Sequence, residues 1–526
     1  MSRLTILYSS EHHASIWPAV GPDGRAVGGL ERRATLARRE RRRGGAVLLL
    51  DSGDVLYGGT ASAAFGGLAD IAGMNAAGYD AMGAGNHDFD LGCAYLRDIA
   101  ARARFPILSS NVRAADGPVL PESALLDTPA GSVLVTSVVS ADVFSKFNPA
   151  TRGEFRWLEP VPALERLVGR RAGRAGRGRR TVGEGRGARG ARGARGARGP
   201  DVVVVITHQT TADDLRLAAA FPAADVIVGG HVNGFRGLLP PGAALLPPGA
   251  AVPVAEYEGP GPVVVKATRQ GRHLGRLELE VLPGRAVRAR AVLCEVGSAI
   301  PPDPAVAAAL ASYRERLDRH LADLPYLDGN LVRTRRGRAE VARLVAAALR
   351  WRLGCDVALQ LVGGVFSGHL GGVTRYRDVI DVLPYRGRTV RLRLGREEIA
   401  ACLEHGLRQA EQLAGTLVQA AGVAVAVDPR RPPGERVVSM EFESPCGADG
   451  RWSVATQEYL ARGGAGFNLG GPVEDGGVTP IDCLAAYLEL GPAVPAPPLA
   501  YVSDPPPAPW TAGERQQEFV DGRTVM

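Results

Sequence analysis

Gly83-Ala84-Gly85 leads without a break into Asn86-His87-Asp88-Phe89-Asp90, which places an amide, an imidazole and two carboxylates within five residues. The small residues let the backbone turn sharply and come close to whatever the polar side chains bind. The same arrangement recurs on either side. The apolar run at residues 4–8 is followed by Glu11-His12-His13, and the run at 46–50 by Asp51-Ser52-Gly53-Asp54. Further on, the run at 202–206 is followed by Thr207-His208, and that at 226–228 by Gly229-Gly230-His231-Val232-Asn233. These apolar runs, with another at 133–139, have the length and bounding residues of buried strands. Loops at the carboxyl ends of strands in one sheet converge, so the five clusters can meet at one site.

The ligand inventory is oxygen and imidazole with no thiolate, which suits Mn, Zn, Fe or Co in a paired site better than a closed structural zinc. A single Thr-His after a strand is an ordinary loop histidine. Five such clusters in order are a site.

A chain of 526 residues exceeds one ordinary core and points to two to four domains. Hydrophobic residues make up 45% and charged residues 22%, a globular composition, and no apolar run approaches the ~18–20 residues of a membrane span. Met1-Ser2-Arg3 runs straight into the first apolar stretch, with no charged n-region and h-region. Six scattered cysteines without a C-x-x-C pair exclude a zinc ribbon or disulfide scaffold and suit a reducing compartment. The expectation is a cytoplasmic protein.

The formal charge of +7 is local. Residues 170–198 carry eleven Arg and one acid, Glu184, which leaves −3 for the rest. Lysine occurs at 146 and 266 alone, so 60 of the 62 basic residues are arginine, the coding bias of a GC-rich genome. The Gly-Ala-Arg triplets at 186–199 have almost nothing to bury and read as a disordered loop. With no interleaved aromatic for base stacking, the segment reads as a tolerated insertion and not as a nucleic-acid arm.

The order and wording of the clusters resemble the calcineurin-like metallophosphatases, specifically the 5′-nucleotidase family with its own C-terminal domain. The most specific string is Asn75-Ala76-Ala77-Gly78-Tyr79-Asp80-Ala81-Met82 followed by Gly85 to Asp90. The resemblance implies an α/β fold: a metallophosphatase sandwich of two central β-sheets flanked by helices, then a second α/β domain. The expected boundaries are 1–296 for the first domain, with the disordered insertion at 169–200, and 301–326 for a connecting helix. A substrate domain at 327–492 and a Pro-rich tail at 493–526 complete the chain.

Carried onto this sequence, the family's positions make Glu11 and His13 ligands of a first metal. Asp54 becomes the bridging carboxylate, and Asn86, His208 and His231 hold the second metal. Asn233 stands where the family carries His or Gln on the first. His87, oriented by Asp90, is the implied catalytic group, and His12 is read as a neighbour of the site or as exposed. Two departures touch the first metal: Glu11 is one methylene longer than the family's Asp, and Asn233 offers an amide oxygen.

In the second domain the family's Asn-x-Gly-Gly-x-Arg reads Leu361-Val362-Gly363-Gly364-Val365-Phe366. Gly363, Gly364 and Phe366 inherit the substrate-binding positions without the Asn and Arg, and Tyr459 remains as a stacking platform. The implied activity is hydrolysis of a nucleotide or related small phosphomonoester with two divalent ions (Mn, Zn, Co or Fe). The alternatives are a non-nucleotide or thiosulfate-type ester, and a degenerate, non-catalytic binding protein. Oligomeric state is not legible.

Overall fold

The computed structural model describes residues 3–20, 26–177, 199–231, 237–239, 256–322, 335–490 and 501–502, with short breaks at 57, 283–285, 337, 366–368, 371–375, 384–386, 411–415 and 429. Asn233, Phe366, most of the Arg-rich insertion and most of the tail lie outside the described residues.

Aliphatic and β-branched runs form the centre of the fold, because such side chains pack well on both faces of a buried sheet. β1 (Leu4–Ser9), β2 (Ala46–Asp51) and β3 (Ala81–Gly83) run parallel in one sheet. Its seven strands are ordered Glu256–Pro260, Ala286–Glu295, His273–Val281, β1, β2, β3, Ile107–Leu108. A second sheet of six strands starts at Ser123–Thr128. It continues through β4 (Gly131–Val139), β5 (Val202–His208), β6 (Val226–Gly230) and β7 (Val263–Lys266) to Gly237–Leu239, with β4 to β7 parallel.

The sheets pack face to face. Leu4, Ile6, Leu48 and Leu50 of the first meet Val133, Val135, Val204 and Ile206 of the second in one core. A side chain at Gly83 would collide with Ser137 and Ile206, so the sheets approach there as closely as a bare backbone permits. The strand runs read from the sequence are all strands. Four of them extend into the residues that follow: Ser9 closes β1, Asp51 closes β2, His208 closes β5 and Gly230 closes β6.

The helix expected to link the domains is Pro304–Ala322, and its Val306, Leu310 and Leu317 pack into the core beside the first sheet. Beyond it, a five-stranded sheet is ordered Val418–Ala421, Val357–Leu361, Trp452–Gln457, Thr389–Leu394, Glu474–Asp475. The helices Arg338–Leu353 and Pro480–Leu488 contribute to the core on one face, and Arg396–Ala410 to that on the other.

One expectation needs correction. The helix Pro160–Arg177 runs into the segment read as a disordered loop from 169, since Ala, Leu and Arg are strong helix formers. Of the tail, the described part is a two-residue strand, Tyr501–Val502, pairing in parallel with Val425 and Ala426. No helix among the described residues is long and apolar enough to cross a membrane.

Candidate metal centre

The parallel strands of both sheets end on the same side, and the polar clusters meet there. Glu11, Asp54, His208 and His231 each turn a ligand atom into one spot, all within 4.8 Å of one another and all buried. Two come from loops of the first sheet and two from the ends of β5 and β6 in the second. Glu11 therefore lies beside residues about two hundred positions away in the chain.

Backbone geometry is forced at these positions. Glu11, His13, Asp54 and His231 all have φ between 44° and 56°, a region most side chains avoid. Such conformations persist where surrounding structure over-determines them, and they cluster at functional sites. Here the loops are tied together: Glu11 N–H donates to Gly53 O at 2.9 Å, and His13 N–H to Asp54 O at 2.9 Å. No side chain fits at Gly85, where a Cβ would run into Asp54 Oδ1 and His208.

Asp88 staples two of the loops. One carboxylate oxygen accepts from the amides of Asp54 and Gly85 at 2.9 and 2.8 Å, the other from Val55 and Leu56 at 3.0 and 2.8 Å. Burial, with the Asp54 carboxylate close by, pushes Asp88 up to about 7. Lys266, wholly buried, donates to the carbonyls of Gln209 (2.8 Å) and Gly230 (2.7 Å), the neighbours of His208 and His231. Sequence reasoning assigned neither residue a role. For Lys266 a signal existed: it is one of two lysines in a chain of arginines.

The donor set fits a divalent cation. His208 Nδ1–H donates to Ser52 O at 2.6 Å, which leaves the Nε2 lone pair facing Glu11 Oε1 at 3.2 Å and Asp54 Oδ2 at 3.1 Å. A lone pair aimed at two carboxylates is repulsive unless a positive charge, either a proton on Nε2 or a metal cation, lies among them. Burial alone would lower His208, yet the carboxylates of Asp54 and Glu11 push it up to about 9. Burial likewise opposes ionisation of Asp54, but His208 and His87 beside it hold it well below the usual carboxylate range. Burial, reinforced by Lys146 and His208, keeps His231 neutral and so able to offer a lone pair. Asn86 Oδ1, His208 Nε2 and His231 Nδ1 are buried without a hydrogen-bond partner among the described residues, at a cost that ligation removes.

Other residues singled out in the sequence fall around this centre. His13 Nε2 lies 3.2 Å from Glu11 Oε2 and 3.8 Å from Asp54 Oδ2. Glu11 also accepts the backbone N–H of His231 at 2.8 Å, which spends the reach of its extra methylene. His87 is partly exposed, its ring 5.5 Å from that of His13, and its Nδ1 bonds Asp90 Oδ2 at 2.6 Å. The His87 backbone N–H donates to Asp54 Oδ1 at 2.9 Å. His12 is fully buried: its Nε2 is 2.9 Å from Asp51 Oδ2, and it also bonds Arg33.

In the second half, Gly363 and Gly364 form the single turn Val362–Gly364 after the strand Val357–Leu361. Tyr459 lies in the short helix Glu458–Ala461, and its hydroxyl donates to Lys146 O of the first half at 3.2 Å.

Residues 321–470 match the family model described as "5'-nucleotidase, C-terminal domain". Over 512 residues the chain is 27% identical to a 5′-nucleotidase of Bos taurus, covering 89% of this chain and 84% of the relative. It is 25% identical to Protein UshA of Yersinia enterocolitica, covering 93% and 88%. Among solved structures, a 5′-nucleotidase precursor from Thermus thermophilus superposes with a TM-score of 0.75 at 25% identity, covering 95% of this chain and 97% of that one.

Proposed function

Since this chain is a divergent member of the 5′-nucleotidase family, and so a metal-dependent hydrolase of phosphoesters, we propose that it cleaves small nucleotide phosphomonoesters at a pair of divalent ions. One observation carries the reading: four buried ligand residues converge within 4.8 Å, and His208 Nε2 and His231 Nδ1 have no hydrogen-bond partner among the described residues.

Asp54 would bridge the two ions; in support, its Oδ2 lies 3.1 Å from His208 Nε2 and 3.8 Å from His13 Nε2. Glu11 and His13, with Asn233, would hold one ion, and Asn86, His208 and His231 the second. Mn, Zn, Co and Fe all suit this donor set. When bound, the ions supply Lewis acidity: they acidify water and neutralise charge on the phosphoryl oxygens.

The chain's own residues do the remainder. Asp90 orients the His87 ring through Nδ1, and Nε2 would hold a proton for the leaving oxygen or donate to a phosphoryl oxygen. Burial raises Asp90, while the His87 partner opposes that rise. Asp88 and Lys266 keep the ligand loops in register, so that no reorganisation is needed when charge develops. We assign residues 1–296 to catalysis and 327–492 to holding the organic part of the substrate. Tyr459, Gly363, Gly364 and Phe366 serve that second role.

The test is a panel of nucleoside monophosphates and simple phosphoesters, assayed on metal-stripped protein with Mn, Zn, Co or Mg restored. Metal-dependent release of phosphate from nucleoside monophosphates is expected. A chain that binds metal yet hydrolyses no ester of the panel is a binding protein, and the proposal then fails.

A further inference from the structure

Lysine is rare enough in this chain to mark a position, and both lysines border the metal centre. Lys266 ties the ligand loops from behind. Lys146 lies in front, and the chemistry above leaves it unused. It caps the short helix Ala141–Ser145, with a side chain only 12% exposed. Its Nζ lies 2.6 Å from Asp142 Oδ2 and 3.5 Å from His231 Nε2. Its carbonyl accepts from Tyr459 of the second half. The ammonium is thus held at the seam between the two halves, against a residue of the metal cluster.

His231 Nε2 faces Lys146, and its Nδ1 is the buried nitrogen without a partner. An imidazole that gives its Nδ1 lone pair to a cation carries its hydrogen on Nε2. Nε2–H and the ammonium are then two donors converging across 3.5 Å, and an anionic oxygen satisfies both. Asp142 uses one of the three ammonium hydrogens and leaves two.

A compact ammonium fits close against an imidazole edge, where a planar five-donor fork would not. Retention of lysine amid sixty arginines is consistent with that constraint.

We propose that Lys146, together with His231 Nε2–H, binds a non-bridging oxygen of the substrate's phosphoryl group and so selects dianionic phosphomonoesters over diesters. The inference rests on the phosphoester reading above and is tested apart from it.

The metal-loaded full chain is titrated with inorganic phosphate by calorimetry, as wild type, Lys146→Met and Lys146→Arg. Lys146→Met should bind phosphate about 10–100-fold more weakly, the scale of one charge-assisted hydrogen bond, with metal content per chain unchanged. Lys146→Arg should fall between the two. In parallel, Lys146→Met should lower kcat/KM for para-nitrophenyl phosphate by a similar factor. For the monoanionic bis-para-nitrophenyl phosphate the change should stay within roughly threefold, since that ester lacks the second charge. Equal phosphate affinity in wild type and Lys146→Met, or no phosphate binding by the metal-loaded wild type, overturns the assignment. Equal losses on monoester and diester overturn the selectivity. A wild type that binds phosphate through Lys146 but cleaves no ester leaves this site standing and removes the hydrolase reading instead.

Discussion

Lys266 and Asp214 form an ion pair of 2.7 Å with both side chains wholly buried. Asp214 also accepts from Thr207 Oγ1 at 2.6 Å, and Lys266 donates to the carbonyls of Gln209 and Gly230. One buried pair thus sutures the ends of β5, β6 and β7, the strands that present or flank His208 and His231. Burying two charges is costly, and removing one partner leaves the other uncompensated.

Lys266→Met should therefore destabilise the protein by about 3–5 kcal/mol, and Lys266→Met with Asp214→Leu by less than the single change. Urea unfolding of the three proteins measures it. If the double variant is the least stable, the pair is not acting as a unit.

Glu11 is where the chain departs most visibly from its family, and the structure shows what the longer side chain reaches. One oxygen accepts the His231 backbone N–H at 2.8 Å while the other lies 3.2 Å from His13. Glu11→Asp should retract the carboxylate by on the order of 1 Å, weaken metal binding and lower turnover by roughly 10²-fold, the sensitivity expected of catalytic geometry. Metal stoichiometry and turnover decide it. A gain in both would mean that the loop is not built for glutamate.

His87 touches the ligand set through its backbone, and its side chain is held by Asp90. His87→Ala should lower turnover by roughly 10²–10⁴-fold and leave metal content unchanged. Metal lost together with activity would place His87 among the ligands.

Asp70 is a buried acid outside the ligand set. Its carboxyl is fully buried, neither oxygen has a hydrogen-bond partner among the described residues, and burial pushes it from 3.8 to about 8, with Arg33 opposing. The unfolded chain releases this proton near pH 4, whereas the folded chain holds it to about pH 8. The group's contribution to stability therefore falls as pH rises through that window and is constant outside it. Asp70→Asn removes the titration, so it should stabilise the protein at pH 8 relative to pH 4 by up to about 5 kcal/mol, the span between the two pKa values. Melting curves at the two pH values test this, and an identical shift at both would contradict it.

Much of the site was legible because its signals are local. An apolar run of strand length announces where a strand ends, and a hard ligand just beyond it announces what the end carries. Glu11, Asp54, His208 and His231 were readable in this way, and each lies at the end of a run predicted as a strand. His12 was less legible, because polarity says nothing about burial when the partners, Asp51 and Arg33, arrive from other segments.

What the sequence determined by itself is the strands that carry the site and the chemistry at their ends, since side-chain period and turn chemistry act over a few residues. Tertiary structure alone decided which ends meet. Sheet order sets Glu11 against His208 and threads Lys266 between two carbonyls; packing brings Lys146 to the edge of His231. Those relationships depend on which strands pair and how closely the two sheets approach at Gly83. Such contacts join residues far apart in the chain, and no local pattern encodes them.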